Sequence, residues 1–318
     1  MQLSRRKFLV NGSLSLAGTM LFSNSIFAAG NAAPVNLGIQ LYSVRDDMQK
    51  DPLATLKQIA EIGYKNVEHA NYVDRKFYGY SATEFKKILD GLGLKMPSGH
   101  TQLLNKHWNK AANSFTDEWK QTVEDAAIAG QRFVVSPWLD EALRKDYDGL
   151  IGFLDVFNKS GELCKKSGMK FGYHNHDFEF KYSLNNKKIY DIILEHTDPA
   201  LVAQQMDIGN MYGAGGRALE ILKKHPGRFE SMHVKDEIKA KDKGEMDSPY
   251  ESSVLGKGIL PVKEIVDLFK KSGGTTEFIV EQESYQGKTP LESVKEDYNI
   301  MKGWGYQLPG FFYRKQHP

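Results

Sequence analysis

Four short apolar runs of this 318-residue chain end in side chains that can bind a metal ion or exchange protons. The runs are 172–180 (GYHNHDFEF), 202–210 (VAQQMDIGN), 230–236 (ESMHVKD) and 277–284 (EFIVEQES). Because side chains alternate across a β-strand, polar residues two positions apart share one face. The pairs that would do so are His174 with His176, Gln205 with Asp207, His233 with Lys235, and Glu281 with Glu283. A buried polar group costs several kcal/mol unless it is paired or metal-bound, so the runs predict the walls of one polar pocket.

Three of these residues, Asp207, His233 and Glu281, lie at the ends of three successive runs. Carboxylate and imidazole groups together suit Mn, Zn, Co, Fe or Mg. Each residue alone could be a capping aspartate, a hydrogen-bonded histidine or a surface glutamate. Together they predict a site for one divalent metal ion.

The elements that must position these groups follow from the alternation of β-like and helix-like segments, which is typical of a parallel sheet with crossover helices. Strands are predicted near 36–42, 65–69, 94–100, 132–137, 170–176, 202–207, 230–235 and 277–282. Helices are predicted near 52–62, 81–92, 116–129, 148–167, 187–196, 217–224, 261–272 and 290–303. Eight strand–helix units in fewer than 300 residues predict an α/β fold, a single (β/α)8 TIM barrel over residues 34–318.

A doubly wound sheet is the alternative fold. Nucleotide-binding sheets of that kind carry a glycine-rich phosphate loop after the first strand. Here residues 40–45 read QLYSVR at that place, which argues against a dinucleotide-binding domain.

The first residues predict an export signal. Twin arginines in residues 4–9 (SRRKFL) precede a weakly apolar stretch over 9–27, and small residues follow up to position 33. This order is typical of a cleaved twin-arginine-type signal peptide over residues 1–33, although the general secretory route also accepts basic starts. An uncleaved membrane anchor is the other interpretation, but the stretch is too polar for a stable span. We therefore expect a periplasmic protein with no stable membrane span after cleavage.

Composition excludes some other classes. The 42 basic and 40 acidic residues nearly balance, so the chain has no net cationic field for nucleic acid. The single cysteine, Cys164, lies in a helical pattern and is expected to be a small buried apolar residue.

Together with residues 38–45 (GIQLYSVR), the four runs resemble the xylose-isomerase-like sugar isomerases and epimerases. That superfamily includes tagatose-type 3-epimerases, inosose dehydratase, dehydroshikimate dehydratase and, more distantly, endonuclease IV. The resemblance covers nearly all of the chain after the predicted signal. Its motifs are specific for the superfamily and not for a substrate.

The resemblance implies one divalent ion held by residues of strands five to eight. Asp207, His233 and Glu281 match the usual ligands of strands six to eight, whereas the strand-five glutamate is replaced by His174, with Glu179 the nearest acid beyond it. Two histidines and two carboxylates around a divalent ion are formally neutral, which favours Mn or Zn over Mg and keeps Co and Fe open.

The resemblance also implies catalytic roles near the ion. Family epimerases use the strand-five and strand-eight glutamates as an acid/base pair, which leaves Glu281 with no matching glutamate here. His176 resembles a histidine that dehydratases place beside the substrate, and an imidazole can act as a base near neutral pH. Glu283 shares the face of Glu281, and Lys235 is interpreted as a hydroxyl-binding or charge-balancing group rather than a Schiff-base lysine.

Substrate contacts are predicted for five residues around the pocket: Gln40, Tyr42, His100, Trp138 and Asn210. Tyr42 and Trp138 are the candidate aromatic platforms. Asn210 stands where the family often has a histidine, which endonuclease IV uses to assemble its trinuclear site. His69 and His100 are therefore interpreted as hydrogen-bonded pocket histidines rather than ligands of further metals.

The function predicted is that of a secreted, metal-dependent sugar isomerase or epimerase that enolises its substrate next to a carbonyl. The same enediolate would serve a lyase or dehydratase acting on 3-keto-glycosides or inososes. A non-catalytic metal-dependent sugar binder stays open, and an abasic-site endonuclease is the least favoured. The expected partner is a small sugar or keto-sugar, with no nucleic acid, and a homo-oligomer is open.

Overall fold

A computed structural model describes residues 36–306 of the chain. Eight parallel strands close into a barrel in the order β1-β8-β7-β6-β5-β4-β3-β2. They are β1 (Asn36–Gln40), β2 (Asn66–His69), β3 (Lys95–His100), β4 (Phe133–Ser136), β5 (Lys170–His174), β6 (Val202–Asp207), β7 (Phe229–Val234) and β8 (Glu277–Val280). The predicted barrel is thereby confirmed, whereas the predicted signal peptide lies outside the described residues.

Each barrel strand is followed by a crossover helix. The helices are α1 (Pro52–Ile62), α2 (Ala82–Gly91), α3 (Asp117–Ala129), α4 (Tyr147–Lys165), α5 (Ile189–His196), α6 (Ala218–Lys224), α7 (Val262–Leu268) and α8 (Pro290–Gly303). Short helices over Arg45–Lys50 and Phe178–Lys181 lie in the loops after β1 and β5. No helix among residues 36–306 is both long enough and apolar enough to cross a membrane.

Local sequence sets the helix boundaries. Helix α1 has Pro52 in its first turn, and the Asp51 side chain accepts a hydrogen bond from the amide of Ala54. Helix α2 begins with a reciprocal capping box between Ser81 and Glu84. Such caps satisfy amide groups that have no partner within the helix. Short loops then return each helix to the next strand.

The core lies between the barrel and its helices. Strand residues are almost all buried, and large side chains such as Trp119 and Phe157 fill the space behind β4 and β5. The indole nitrogen of Trp119 donates to Ser160 Oγ at 3.0 Å, which satisfies its buried polar group. Cys164 is fully buried in α4, as predicted.

The loops at the carboxyl ends of the strands carry small hairpins that form the rim of the barrel mouth. After β2 comes a three-stranded sheet of Tyr72–Val73, Lys76–Phe77 and Tyr80–Ser81, and after β7 a hairpin of Asp236–Lys239 with Tyr250–Ser253. The active sites of (β/α)8 barrel enzymes lie at this end of the barrel.

Candidate active site and metal centre

The four residues predicted as metal ligands come together at the carboxyl ends of β5 to β8. One ligand atom each from His174, Asp207, His233 and Glu281 lies within 4.8 Å of the others, and all four side chains are buried. His174 and Asp207 end β5 and β6, and the register pairs Asp207 with His233 on β7. Glu281 follows β8 directly.

His233 is oriented by carboxylates on both sides of its ring. Its Nε2 donates to Glu68 Oε1 at 2.6 Å, while Nδ1 faces Glu281 Oε2 at 3.0 Å and Asp207 Oδ2 at 3.7 Å. Burial would lower the pKa of His233, but Glu281 and Glu68 raise it well above its usual range. The surroundings thus favour positive charge at this point.

A divalent cation fits this arrangement. Asp207 Oδ1 accepts hydrogen bonds from the amides of Gly209 and Asn210, but Oδ2 is a buried carboxylate oxygen with no hydrogen-bond partner among the described residues. Such an atom is costly unless a cation pairs with it. With Glu68 accepting from Nε2 of His233, Nδ1 is the nitrogen left to act as a ligand.

Gln205 orients the second histidine. Its amide nitrogen donates to Glu68 Oε2 at 2.8 Å and to Ser231 Oγ at 3.1 Å, which turns its oxygen toward the imidazoles. That oxygen accepts from His174 Nδ1 at 3.0 Å and lies 2.7 Å from His100 Nε2. The ring of His174 is therefore fixed with Nε2 free to bind a metal ion.

Glu68 is the functional residue that the sequence analysis missed. It lies on β2, is fully buried, and accepts hydrogen bonds from Gln40 Nε2 and Ser98 Oγ as well as from the histidine and glutamine above. Burial would raise the pKa of Glu68, but His100 and His233 hold it well below its usual range. The available signal was a carboxylate inside the short predicted strand 65–69, where it would be buried unless it lay at the surface.

Two sequence predictions around Glu68 need correction. Gln40 was expected to touch substrate, but it is fully buried behind the cavity, where it supports Glu68 and accepts from the amide of Tyr42. His69 was expected to be a hydrogen-bonded pocket histidine. Adjacent strand residues point to opposite faces, so His69 points away from the barrel interior and packs edge-on against Phe77, with the two ring centroids 4.7 Å apart. Neither ring nitrogen of His69 has a hydrogen-bond partner within residues 36–306.

At strand five the structure brings His174, and not Glu179, to the cluster. Glu179 is buried in the short helix Phe178–Lys181, where it accepts from the Tyr173 hydroxyl at 2.5 Å and from the amide of His176 at 2.9 Å. Burial raises the pKa of Glu179 to about 8. Its carboxyl group supports the backbone that carries His176.

Lys235 is a buried ammonium group among carboxylates. Its Nζ lies 2.5 Å from Glu283 Oε1, 3.3 Å from Glu245 Oε2 and 3.6 Å from Glu281 Oε2, and it donates to Asn210 Oδ1 at 3.0 Å. Burial would lower the pKa of Lys235, but Glu283 and Glu245 raise it well above its usual range. A charged amine is not a nucleophile, which agrees with the charge-balancing role.

Burial shifts the pKa values of Glu283 and His176, the two other predicted catalytic residues, in opposite directions. Burial raises the pKa of Glu283 to about 7, with Lys235 opposing the shift. Burial lowers the pKa of His176 to about 3, so its ring stays neutral instead of titrating near pH 7 as the sequence analysis expected. His176 packs edge-on against Trp138, with ring centroids 4.9 Å apart.

A cavity of about 960 Å³ opens above the cluster. Eight of the predicted site residues line it: Tyr42, His100, Trp138, His174, His176, Asn210, Glu281 and Glu283. Asp207, His233 and Lys235 are fully buried behind these side chains. The arrangement thus combines a candidate metal centre, a carboxylate–ammonium pair and aromatic walls in one cavity.

Comparison with known proteins agrees with this architecture. A family model described as xylose isomerase-like TIM barrel matches residues 56–304. An inosose dehydratase of Bacillus licheniformis is 29% identical over 174 residues, 52% of this chain and 55% of that protein. The chain spans about half the length of the curated relatives it matches.

Two solved structures show the same fold. A sugar phosphate isomerase/epimerase from Parabacteroides distasonis is 24% identical with a TM-score of 0.69, covering 84% of this chain and 98% of that one. The IOLI protein with a bound zinc atom is 14% identical with a TM-score of 0.63, covering 85% and 97%.

Proposed function

The chain belongs to the xylose isomerase-like TIM barrel family, and we propose that it is a metal-dependent enzyme that removes a proton next to the carbonyl of a sugar or keto-sugar. The observation that carries the proposal is the convergence of His174, Asp207, His233 and Glu281 beside Glu283 in one cavity. Single-cation sites of mixed imidazole and carboxylate ligands serve carbonyl chemistry well.

Four residues of the chain would hold the ion: His174, Asp207, His233 and Glu281. A divalent cation bound there would act as a Lewis acid that polarises a carbonyl oxygen and stabilises the enediolate anion. Two neutral histidines and two carboxylates favour Mn or Zn, with Mg, Co and Fe as alternatives. Glu68 and Gln205 would keep both histidines in the ligating tautomer.

Glu283 is the carboxylate best placed to accept the α-proton. It lines the cavity, and one of its oxygens is held at 2.5 Å by Lys235, which leaves the other for the substrate. The positive charge of Lys235 balances the negative charge of Glu283. Since Asn210 Oδ1 accepts from Lys235, the amide nitrogen of Asn210 is the group presented to the cavity, as a donor to a substrate hydroxyl.

His176 and Trp138 form the part of the cavity wall that follows β4 and β5. Their rings are in edge-on contact, and the neutral imidazole of His176 can accept or donate one hydrogen bond to the sugar. His176 also lines the cavity and is therefore the second candidate for moving a proton.

The enediolate can be reprotonated, which gives isomerisation or epimerisation, or it can lose a β-oxygen, which gives elimination. The curated relatives are named inosose dehydratases, and that name supports a dehydratase or lyase acting on inososes or 3-keto-glycosides as the second candidate. Both outcomes require the same first step.

The test incubates Mn- or Zn-loaded protein in deuterated water with a panel of keto-sugars, 3-keto-glycosides and inososes. NMR monitors the exchange of the α-proton. We expect deuterium at an α-carbon or formation of an unsaturated product, and a loss of roughly 10²–10⁴-fold in Glu283→Gln. Binding without exchange or elimination would identify a non-catalytic binder. Cleavage of an abasic-site duplex would instead indicate a phosphodiesterase.

The proposed place of action is the periplasm, reached through the twin-arginine signal. This part of the proposal is supported by residues 1–33 of the sequence alone. Folded export suits a protein that takes up its metal ion before it crosses the membrane.

A further inference from the structure

The cavity above the metal cluster is larger than one sugar ring needs. Its volume of about 960 Å³ lies at the upper end of the ~300–1,000 Å³ found for sites that hold drug-sized ligands. From His174 and Glu281 it extends outward to residues 70–75 in the loop after β2 and to Gln121 on α3. The outer part lies beyond the groups that would hold a reacting carbonyl.

Apolar side chains are concentrated at the mouth of this cavity. Eight large apolar side chains are exposed within residues 36–306, and four of them line the cavity: Tyr42, Val73, Trp138 and Met246. These four come from four different loops, after β1, β2, β4 and β7. Exposed apolar groups that gather around a polar floor are typical of a binding surface.

Met246 is held at the mouth by a strained but anchored turn. Met246 has a φ of 53° and Asp247 a φ of 58°. Both values lie in the left-handed region, which residues other than glycine rarely adopt. The preceding residue, Glu245, accepts from the amide of Ser252 at 2.9 Å and from its hydroxyl at 2.5 Å, and it pairs with Lys235 at 3.3 Å. The buried ammonium group therefore fixes the loop that presents Met246.

The charges of the cavity disfavour a phosphorylated ligand. Among the described lining residues every lysine and arginine is already paired. Arg75 donates to both oxygens of Asp125 at 2.9 and 2.7 Å, and Lys106 donates to Glu118 at 2.8 Å. A phosphate group would meet the carboxylate of Glu283 without gaining an unpaired cation.

We propose that the outer part of the cavity is a subsite for an uncharged ring with an apolar face, joined by a glycosidic bond to the sugar held at the inner end. An aryl group and a second pyranose both have this chemistry, because each presents a flat apolar face to aromatic and methionine side chains. The inference rests on the proposed function for the inner end. It specifies that the substrate is a glycoside rather than a free or phosphorylated monosaccharide.

The test is calorimetric titration of the metal-loaded full chain with free sugars, their phenyl glycosides, β-linked disaccharides and 6-phosphates, in the gluco, galacto and manno series. We expect a phenyl glycoside or a disaccharide to bind at least tenfold tighter than its free sugar. The 6-phosphate should bind no tighter than the free sugar. A gain in affinity for the phenyl glycoside alone would indicate a subsite for an aryl group, and a gain for the disaccharide alone would indicate a subsite for a second sugar.

Two substitutions test whether the preference for glycosides arises in the outer part of the cavity. Met246→Ala should reduce the preference for glycoside over free sugar at least threefold, whereas Ile128→Ala, an exposed apolar residue of α3 outside the cavity, should leave it unchanged. Equal affinity of glycoside and free sugar in every series, absence of binding by all of them, or tighter binding of a 6-phosphate would overturn the subsite. Binding of these ligands is measured without turnover. A preference for the glycoside over the free sugar, observed together with an absence of α-proton exchange, would therefore reject the proposed chemistry and leave the subsite standing.

Discussion

Glu68 and His233 are joined by a hydrogen bond of 2.6 Å between a carboxylate oxygen and Nε2, although 165 positions separate them in the chain. Their strands, β2 and β7, are not neighbours, because β1 and β8 lie between them in the barrel. The bond crosses the barrel interior and fixes which nitrogen of His233 faces Asp207 and Glu281. The candidate metal centre is thus organised by a residue on the opposite wall.

Glu68→Gln should weaken metal binding about 10–100-fold, because the amide no longer holds the His233 tautomer and charge as the carboxylate does. Competition with a chromogenic chelator measures the affinity. Glu277→Gln is the matched control, since Glu277 is equally buried on β8 but bonds to Asn36 and Arg132 at the other end of the barrel. Equal metal affinity in both variants would remove Glu68 from the centre.

His174→Ala should lose the metal ion, whereas Glu179→Gln should keep it. The reason is that His174 lies in the cluster, while Glu179 bonds to Tyr173 and to the His176 backbone. Elemental analysis of the purified chains gives the metal content, expected to be about one ion per chain in the wild type. Metal loss in Glu179→Gln alone would show that the assignment at strand five is wrong.

Glu179 should make stability fall as pH rises. Its folded-state pKa is raised to about 8 by burial, above the ordinary value of 4.5. Between these values the folded chain keeps a proton that the unfolded chain has lost, so the slope of the unfolding free energy with pH is negative. The contribution of this one group is roughly 1 kcal/mol per pH unit.

The measurement is urea unfolding of wild type and Glu179→Gln from about pH 4 to pH 8. The glutamine cannot ionise, so the variant should gain relative to wild type as pH rises and show no gain below about pH 4.5. Parallel pH profiles for the two proteins would contradict a raised pKa at Glu179.

Replacing Arg5 and Arg6 together by lysine should leave precursor in the cytoplasm, because the twin-arginine route depends on the arginine pair whereas the general route needs only positive charge. Cell fractionation with immunodetection follows the two forms. Mature protein outside the cytoplasm with either sequence would reject the twin-arginine route and leave export itself intact.

The barrel could be predicted from the sequence because its signals are local. Strand-length and helix-length segments alternate eight times, and His174, Asp207, His233 and Glu281 lie at or next to the carboxyl ends of β5 to β8. In a parallel barrel those ends meet at one mouth, so Asp207, His233 and Glu281 could be assigned to one site before any contact was known. Cys164 was assigned to the core for the same local reason.

Tertiary structure decided which polar groups meet across the barrel. Alternation tells which face Glu68 and Gln205 occupy, but it does not tell that they bond to each other and to His233 and His174. Those contacts depend on the closure and stagger of eight strands, which no single segment encodes.

The loops were decided in the same way. His176, Lys235 and Glu283 lie beyond the last residues of their strands, and Met246 sits in a turn held by bonds from Glu245 to Ser252 and Lys235. The sequence by itself determined the barrel, the polar mouth and three candidate metal ligands. The tautomers, the ion-pair network and the shape of the cavity follow from long-range hydrogen bonds that form only when the chain is folded.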